Sequence, residues 1–295
     1  MRVFQILFLT TLLLSNALLA QEAERLTSDI QQRLSADEYK LLADQEVSLA
    51  TFEYPSELPI SKGTMILLSN AQEANVLDPS MIHTAKYFAQ EGWSSIVMPS
   101  PALKIVPEEA SEALSEPAVE PEPEANPLEE SDTPTEPAII HAKQLAESFP
   151  DATYAVYEAE LLRYINIVLQ ANADTLGHRV FFAEGIAAAT FIKLLHDEQL
   201  ENIDALILQN PFWPEPKLNK LVPNLLANTE VPVLDLTSAQ DTHWSRATQR
   251  DREIQAQVAL KKIYRQRQLA GFVYNENEIE SVIKYTRGFI SYLGW

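Results

Sequence analysis

The turn at residues 183–187 has the residue types and spacing that come nearest to catalytic chemistry. It reads Ala-Glu-Gly-Ile-Ala and joins the apolar strand "RVFFAE" to a helix at 186–197. A sharp strand-to-helix turn flanked by small residues is typical of the G-x-S-x-G elbow, which presents a nucleophilic serine. Gly185 stands at the central position, so this turn has no hydroxyl group to present.

A glycine suits such a turn for a physical reason. The central residue of an elbow adopts a positive φ, which costs of order 1–3 kcal/mol for a residue with a side chain. Glycine avoids most of that strain. The chain has only seven glycines, which makes this position informative. An ordinary strand-to-helix turn that needs a flexible residue is the alternative interpretation.

The other positions of a Ser-His-Asp triad are only partly filled. The acid is expected after the strand at 231–239, where Asp241 stands with His243 two residues further on. The base is expected after the last strand, but residues 268–278 contain no histidine and Tyr274 stands nearest. Since a serine nucleophile needs both partners, classical triad chemistry is not available to this sequence.

Outside one acidic insertion, the chain alternates apolar strands with amphipathic helices. Such a pattern predicts the α/β class: a three-layer sandwich with a mostly parallel sheet covered by helices on both faces. Residues 46–59 alternate between apolar and polar types and predict an antiparallel edge strand. The predicted strands are 64–70, 94–101, 179–184, 204–212, 231–239 and 264–272, and the predicted helices are 79–90, 153–173, 186–197, 244–262 and 277–293.

Ligands of such sheets bind at the carboxyl ends of the strands, so we expect a binding rim there. Glu184 is a candidate acid or base, or else a solvated rim carboxylate. Phe212 and Trp213 would form an aromatic ligand wall, or a loop packed against the core. The five histidines show no metal-ligand spacing, and we predict neither a metal nor a cofactor. The predicted rim consists of Ser69, Asn70, Glu184, Ile186, Phe212, Trp213 and His243.

The first twenty residues have the pattern of a secretory signal peptide. Arg2 supplies a positive charge, residues 3–14 are almost entirely apolar, and cleavage is expected after Ala17 or Ala20. The chain has no cysteine, and no later run is long enough for a membrane-spanning helix. We therefore expect a soluble protein that is secreted across the inner membrane into the periplasm. The predicted organisation is a signal peptide (1–20), an N-terminal helical segment (21–45) and an α/β domain (46–295).

The formal charge of −20 comes largely from one insertion. Residues 107–137 contain eleven carboxylates, seven prolines and no Lys or Arg, so we expect a disordered insertion over 105–140. The negative balance argues against nucleic-acid binding. The helix over 244–262 and the strand after it are basic. This run is either a solvated face or a counterpart to the acidic insertion. These basic residues are Arg246, Arg250, Arg252, Lys261, Lys262, Arg265 and Arg267.

Several segments together resemble a known family. They are "KGTMILLSN", "EGWSSIVMPSP" followed by the insertion, "LNKLVPNLLANTEVPVLDL", "YRQRQLAG" and "RGFISYLGW". They are similar to an exported bacterial family of unknown function, the domain of unknown function 3530 family, in the α/β-hydrolase clan. The resemblance implies an α/β-hydrolase-like fold over residues 47–294 outside the insertion, and an exported protein. It implies no reaction.

Three functions are compatible with these patterns. The first is a non-catalytic, monomeric protein that binds a small molecule, a peptide or an envelope partner at the rim. The second is a non-standard, esterase-like hydrolase that uses Glu184, Asp241 or His243. The third is a scaffolding role through the acidic insertion.

Deletion of residues 107–137 tests the interpretation of the insertion. The segment has little apolar surface to bury, so its removal should shift the melting temperature by less than about 2 °C in a thermal unfolding experiment. A large loss of thermal stability would show that the segment is folded.

Overall fold

The computed structural model describes residues 38–44, 47–71, 79–103, 151–269 and 276–295, together with Ser28, Ile30, Gln32, Leu34 and Ser35. The predicted signal peptide (1–20) and acidic insertion (105–140) lie outside the described residues, as does Tyr274. The predictions for these segments therefore stay predictions.

A single eight-stranded sheet forms the centre of the described chain, with the order β1-β2-β4-β3-β5-β6-β7-β8. The strands from β3 to β8 are parallel, whereas β1 and β2 are antiparallel to their neighbours. The mostly parallel sheet is thus confirmed. The strands are β1 (Lys40–Ala43), β2 (Ser48–Tyr54), β3 (Gly63–Leu68), β4 (Trp93–Met98), β5 (His178–Glu184), β6 (Ala205–Gln209), β7 (Val233–Ser238) and β8 (Tyr264–Leu269).

Helices cover both faces of the sheet. The helices are α1 (Pro79–Gln90), α2 (Asp151–Ala171), α3 (Gly185–His196), α4 (Pro216–Asn219), α5 (Val222–Ala227), α6 (His243–Val258) and α7 (Glu276–Leu293). One buried cluster joins the sheet to α2, α3 and α5, and the other joins it to α1 and α7. The predicted three-layer architecture is therefore confirmed. No helix in the described part of the chain has the length and apolar character that a membrane crossing requires.

The amino-terminal edge of the sheet differs from the prediction. Residues 40–43 lie in the segment 21–45, for which we expected helix, but they form β1. Strand β1 pairs with β2, so β2 is antiparallel as predicted but is not the edge strand. Leu42 explains the difference, because strand pairing buries it to 7 % exposure. This tertiary contact outweighs the local preference of a short segment.

A fully buried ion pair fixes α6 against the sheet. Arg252 of α6 donates from Nε and Nη2 to the two carboxylate oxygens of Asp235 in β7, at 2.8 and 3.3 Å. Its Nη1 donates to the Thr248 hydroxyl at 2.8 Å and to the Ser245 carbonyl at 3.2 Å. Both charged side chains have 0 % exposure. The sequence analysis assigned Arg252 to a basic face that is either solvated or a counterpart to the insertion, and the structure corrects that assignment for this residue.

Strand β8 completes the shell of donors around Asp235. The Tyr264 hydroxyl donates to Asp235 Oδ2 at 2.7 Å, and Gln266 Nε2 donates to the same oxygen at 2.9 Å. Burial raises the pKa of Tyr264, and the negative charge of Asp235 raises it further. The carboxylate therefore joins β7, β8 and α6 through one network of charge-assisted hydrogen bonds.

Replacing the arginine tests this network. Arg252→Met would leave Asp235 buried without its counter-charge, and we expect a loss of about 3–5 kcal/mol in the free energy of unfolding. Urea denaturation measures the loss. Arg250→Met is the matched control, because Arg250 is exposed on the same helix; it should change stability by less than about 0.5 kcal/mol. Equal, small effects of the two substitutions would contradict the assigned role of the pair.

Candidate functional site

The carboxyl ends of the central strands carry a row of buried polar side chains. Glu184 and Gln209 are aligned with one another across β5 and β6, and Ser69 follows the last residue of β3. Their exposures are 7 %, 6 % and 2 %, respectively. Side chains alternate along a strand, so Glu184 and Gln209 share a face with Phe182 and Ile207, which pack in the cluster with α1 and α7. The predicted rim thus contains a polar layer that is largely shielded from solvent.

The strand-to-helix turn places Gly185 in the left-handed region. Its φ is +60°, and α3 begins at this residue without an intervening loop. The half-buried Asn70, which follows β3, accepts a hydrogen bond at Oδ1 from the backbone N–H of Ile186 at 3.2 Å. A Cβ atom built on Gly185 would lie 2.5 Å from Asn70 Cγ and Oδ1. The Asn70 carboxamide therefore occupies the space into which a side chain at position 185 would project.

Asp241 lies in the turn after β7, as the sequence predicts. Its Oδ2 atom is buried and has no hydrogen-bond partner among the described residues. Burial raises the pKa of Asp241. Hydrogen bonds from the Thr242 backbone and the Ser245 side chain oppose that rise in pKa, as do the charges of Arg252 and Arg246. This carboxyl group is thus close to cations but is only partly satisfied.

Glu278 is a buried titratable residue that the sequence analysis did not single out. It lies in the first turn of α7, with 1 % exposure, and neither carboxylate oxygen has a hydrogen-bond partner in the described part of the chain. Burial raises the pKa of Glu278, and the negative charge of Asp241 raises it further. A sequence signal did exist: Glu278 and Val282 are four residues apart, so this glutamate falls on the apolar stripe of an amphipathic helix.

Glu278 borders a very small cavity below the rim. The cavity has a volume of about 10 Å³, which is enough for a single water molecule. The cavity is lined by Ser80, Met81, Thr84, Phe182, Gln209, Glu278, Ile279 and Val282.

The remaining predicted rim residues do not form one open surface, although the Phe212 backbone N–H donates to the Gly185 carbonyl at 3.2 Å. Phe212 and Trp213 are 2 % and 3 % exposed, and the Trp213 indole N–H donates to the Thr190 hydroxyl at 3.1 Å. They form a loop packed against the core, which is the second of the two interpretations of this loop. His243 is exposed at the start of α6, and its ring lies 4.4 Å from that of Trp244.

The opposite edge of the sheet holds a larger cavity, which the sequence did not predict. Its volume is about 660 Å³. It lies at the amino ends of β5 and β6, away from the elbow. Four of its ten lining residues carry amide side chains. The lining residues are Asn166, Leu169, Gln170, Ala173, Gly177, Arg179, Gln199, Glu201, Asn202 and Asp204.

Comparison with solved structures shows an α/β-hydrolase-like fold and confirms the predicted fold class. A dienelactone hydrolase from Anabaena variabilis is 11 % identical, with 86 % of this chain and 96 % of that chain covered and a TM-score of 0.50. Esterase 2 from Thermogutta terrifontis is 13 % identical (88 % and 97 % covered, TM-score 0.55). Est1E from Butyrivibrio proteoclasticus is 9 % identical (86 % and 99 % covered, TM-score 0.54). At sequence identities this low, the similarity shows a shared fold and does not show a shared activity.

The sequence comparisons place the chain in one family. A search of curated proteins finds no significant match. One family matches residues 11–292, which is nearly the whole chain and includes the elbow, Asp241 and Glu278. The resemblance stated from the sequence segments is thereby confirmed. The chain belongs to the family described as "Protein of unknown function (DUF3530)".

Proposed function

We propose that this chain is a non-catalytic α/β-hydrolase-like protein that binds a small molecule or an envelope partner at the carboxyl edge of its sheet. The single observation that carries the proposal is the position of Asn70. Its carboxamide fills the space beside Gly185, and its Oδ1 atom accepts a hydrogen bond from the backbone N–H of Ile186.

The chemistry of acyl transfer explains why this contact matters. An elbow presents its nucleophile at the central residue, and the N–H of the following residue helps to stabilise the oxyanion. The loss of one oxyanion donor typically lowers kcat by about 10²–10³-fold. Position 185 has no side chain here, and the N–H of Ile186 is directed to Asn70. Position 185 thus supplies no nucleophilic side chain, and the N–H that would stabilise the oxyanion is already hydrogen-bonded to Asn70. Both features support binding without turnover.

A hydrolase with non-standard residues is the second candidate, and one observation favours it. The raised pKa of Asp241 would bring this carboxyl group nearer to the operating pH, which suits a general acid or base. Glu184 is buried at the same edge, whereas the exposed His243 packs against Trp244. Of the three candidates, Asp241 is therefore the residue to test first.

We also infer that the protein is exported to the periplasm, on the pattern of residues 1–20. The functional assays are accordingly made with mature protein that begins after Ala17 or Ala20, and the acidic insertion is retained.

Activity assays test the proposal directly. We expect no labelling by serine-directed fluorophosphonates and no turnover of short p-nitrophenyl esters, because position 185 supplies no hydroxyl group. Asp241→Ala is the reference variant. Turnover by the wild-type protein that exceeds the turnover of Asp241→Ala would exclude the non-catalytic proposal and support the second candidate.

A serine placed at the elbow tests the geometry. Gly185→Ser should lower the free energy of unfolding by about 1–3 kcal/mol, because φ is positive and Asn70 occupies the space for Cβ. It should gain no esterase activity. Urea denaturation and an ester assay measure the two effects.

Two further variants make this experiment specific. Gly288→Ser is the control, since Gly288 lies in a helix and a Cβ there meets no atom within 4 Å; it should not destabilise the protein. The double variant Gly185→Ser/Asn70→Ala should lose less free energy of unfolding than the two single variants lose in sum, because the two sites are in contact. Strict additivity would show that Asn70 does not restrict position 185.

A further inference from the structure

The larger cavity, at the amino edge of the sheet, has the size of a ligand-binding site. Its volume of about 660 Å³ lies within the range of about 300–1,000 Å³ that such sites usually have. Two segments form most of its wall: the end of α2 with the turn after it, and the connection from α3 to β6. The elbow lies at the opposite edge, so this cavity is separate from the site of the proposed function.

Four carboxamide side chains line this cavity, and all four residues are exposed. Asn166 and Gln170 are four residues apart in α2 and therefore lie on one face of the helix. Gln199 and Asn202 belong to the connection from α3 to β6. A carboxamide has two N–H donors and one carbonyl acceptor, and a hydroxyl group both donates and accepts. The wall is therefore complementary to a ligand with many hydroxyl groups.

Arg179, near the start of β5, holds the two parts of the wall together. Its Nη2 donates to the Asn172 carbonyl after α2, and its Nη1 donates to the Asn202 carbonyl, both at 3.4 Å. Its backbone N–H donates to Asp204 Oδ2 at 2.7 Å. A wall that is fixed before a ligand arrives loses less conformational entropy on binding.

The charges and the apolar groups of the wall limit the class of ligand. Glu201 and Asp204 contribute two carboxylates against the single guanidinium of Arg179, so a phosphate or carboxylate group on a ligand would meet net repulsion. Leu169 and Ala173 are the only apolar side chains in the described lining, which is too little apolar surface for a hydrophobic molecule or an amphipathic peptide helix. A neutral ligand rich in hydroxyl groups fits this wall best.

We propose that this cavity binds a short neutral oligosaccharide. The four carboxamides donate to and accept from its hydroxyl groups, and Leu169 and Ala173 contact the C–H groups of a sugar ring. The described lining contains no aromatic side chain, so hydrogen bonds provide most of the binding energy. Because hydrogen bonds formed in exchange for water contribute modestly, we expect dissociation constants in the millimolar range.

NMR titration of the mature protein with three neutral trisaccharides tests the proposal: maltotriose, cellotriose and N,N′,N″-triacetylchitotriose. At least one of them should shift the backbone resonances of residues 166–179 and 199–204 in a saturable way. The double variant Gln170→Ala/Asn202→Gly should bind that sugar about tenfold more weakly or worse, since it removes two hydrogen-bonding groups. Each single variant should lose about fivefold in affinity, so a folding defect in one leaves the other informative.

Both substitutions are compatible with the local backbone. Gln170 lies in a helix, where alanine is favoured, and Asn202 has a φ of +59°, which glycine adopts readily. Gln257→Ala is the matched control, because Gln257 is an exposed amide residue on α6 and does not line the cavity. This variant should bind the sugar as the wild-type protein does.

Three outcomes would overturn the proposal. The first is the absence of a saturable shift with any of the three trisaccharides, and the second is equal affinity of the wild-type protein and the double variant. The third is tighter binding of chitotriose, the unacetylated and cationic sugar, since this would show a site for cations. The esterase assays do not bear on these outcomes, because the elbow lies at the other edge of the sheet.

Discussion

The left-handed conformation of Gly185 is the constraint on which the carboxyl edge of this protein depends. Strand β5 lies between β3 and β6, and α3 begins at Gly185 without a connecting loop. Such a reversal requires a positive φ, which glycine adopts without strain. The same turn brings the Ile186 N–H to Asn70, and the Asn70 carboxamide then leaves no room for a side chain at position 185. A single backbone conformation thus determines how β3, β5 and α3 meet.

Buried charge is handled in two different ways within the same sheet. Asp235 receives donors from Arg252, Tyr264 and Gln266, so its burial is compensated by charge-assisted hydrogen bonds. Glu278 and Asp241 retain buried oxygens without partners among the described residues. Because uncompensated buried charge is costly, natural proteins concentrate it at functional sites. The contrast therefore separates a satisfied structural network from carboxyl groups that are buried without such compensation.

The fold alone does not decide the function of this chain. Members of one fold carry out many reactions, and function resides in particular groups on the fold. The solved structures with the same architecture include a dienelactone hydrolase and esterases, at identities of 9–13 %. In this chain two features are relevant to function. The Asn70 carboxamide lies beside Gly185 at the elbow, and Glu278 is buried at the start of α7. The contact at the elbow is the basis of the binding role that we propose.

The amino-acid sequence by itself determined the fold class, the order of nearly all the elements and the position of the elbow. These features depend on local apolar periodicity and on a single glycine, which can be recognised without knowing what lies nearby in space. Only the tertiary structure decided that residues 40–43 form an edge strand, that Arg252 is buried against Asp235, and that Asn70 covers Gly185. It also revealed that Glu278 is buried without a hydrogen-bond partner among the described residues. The physical reason is that each of these features is a contact between residues far apart in the chain, and hydrophobic periodicity has no information on such pairs.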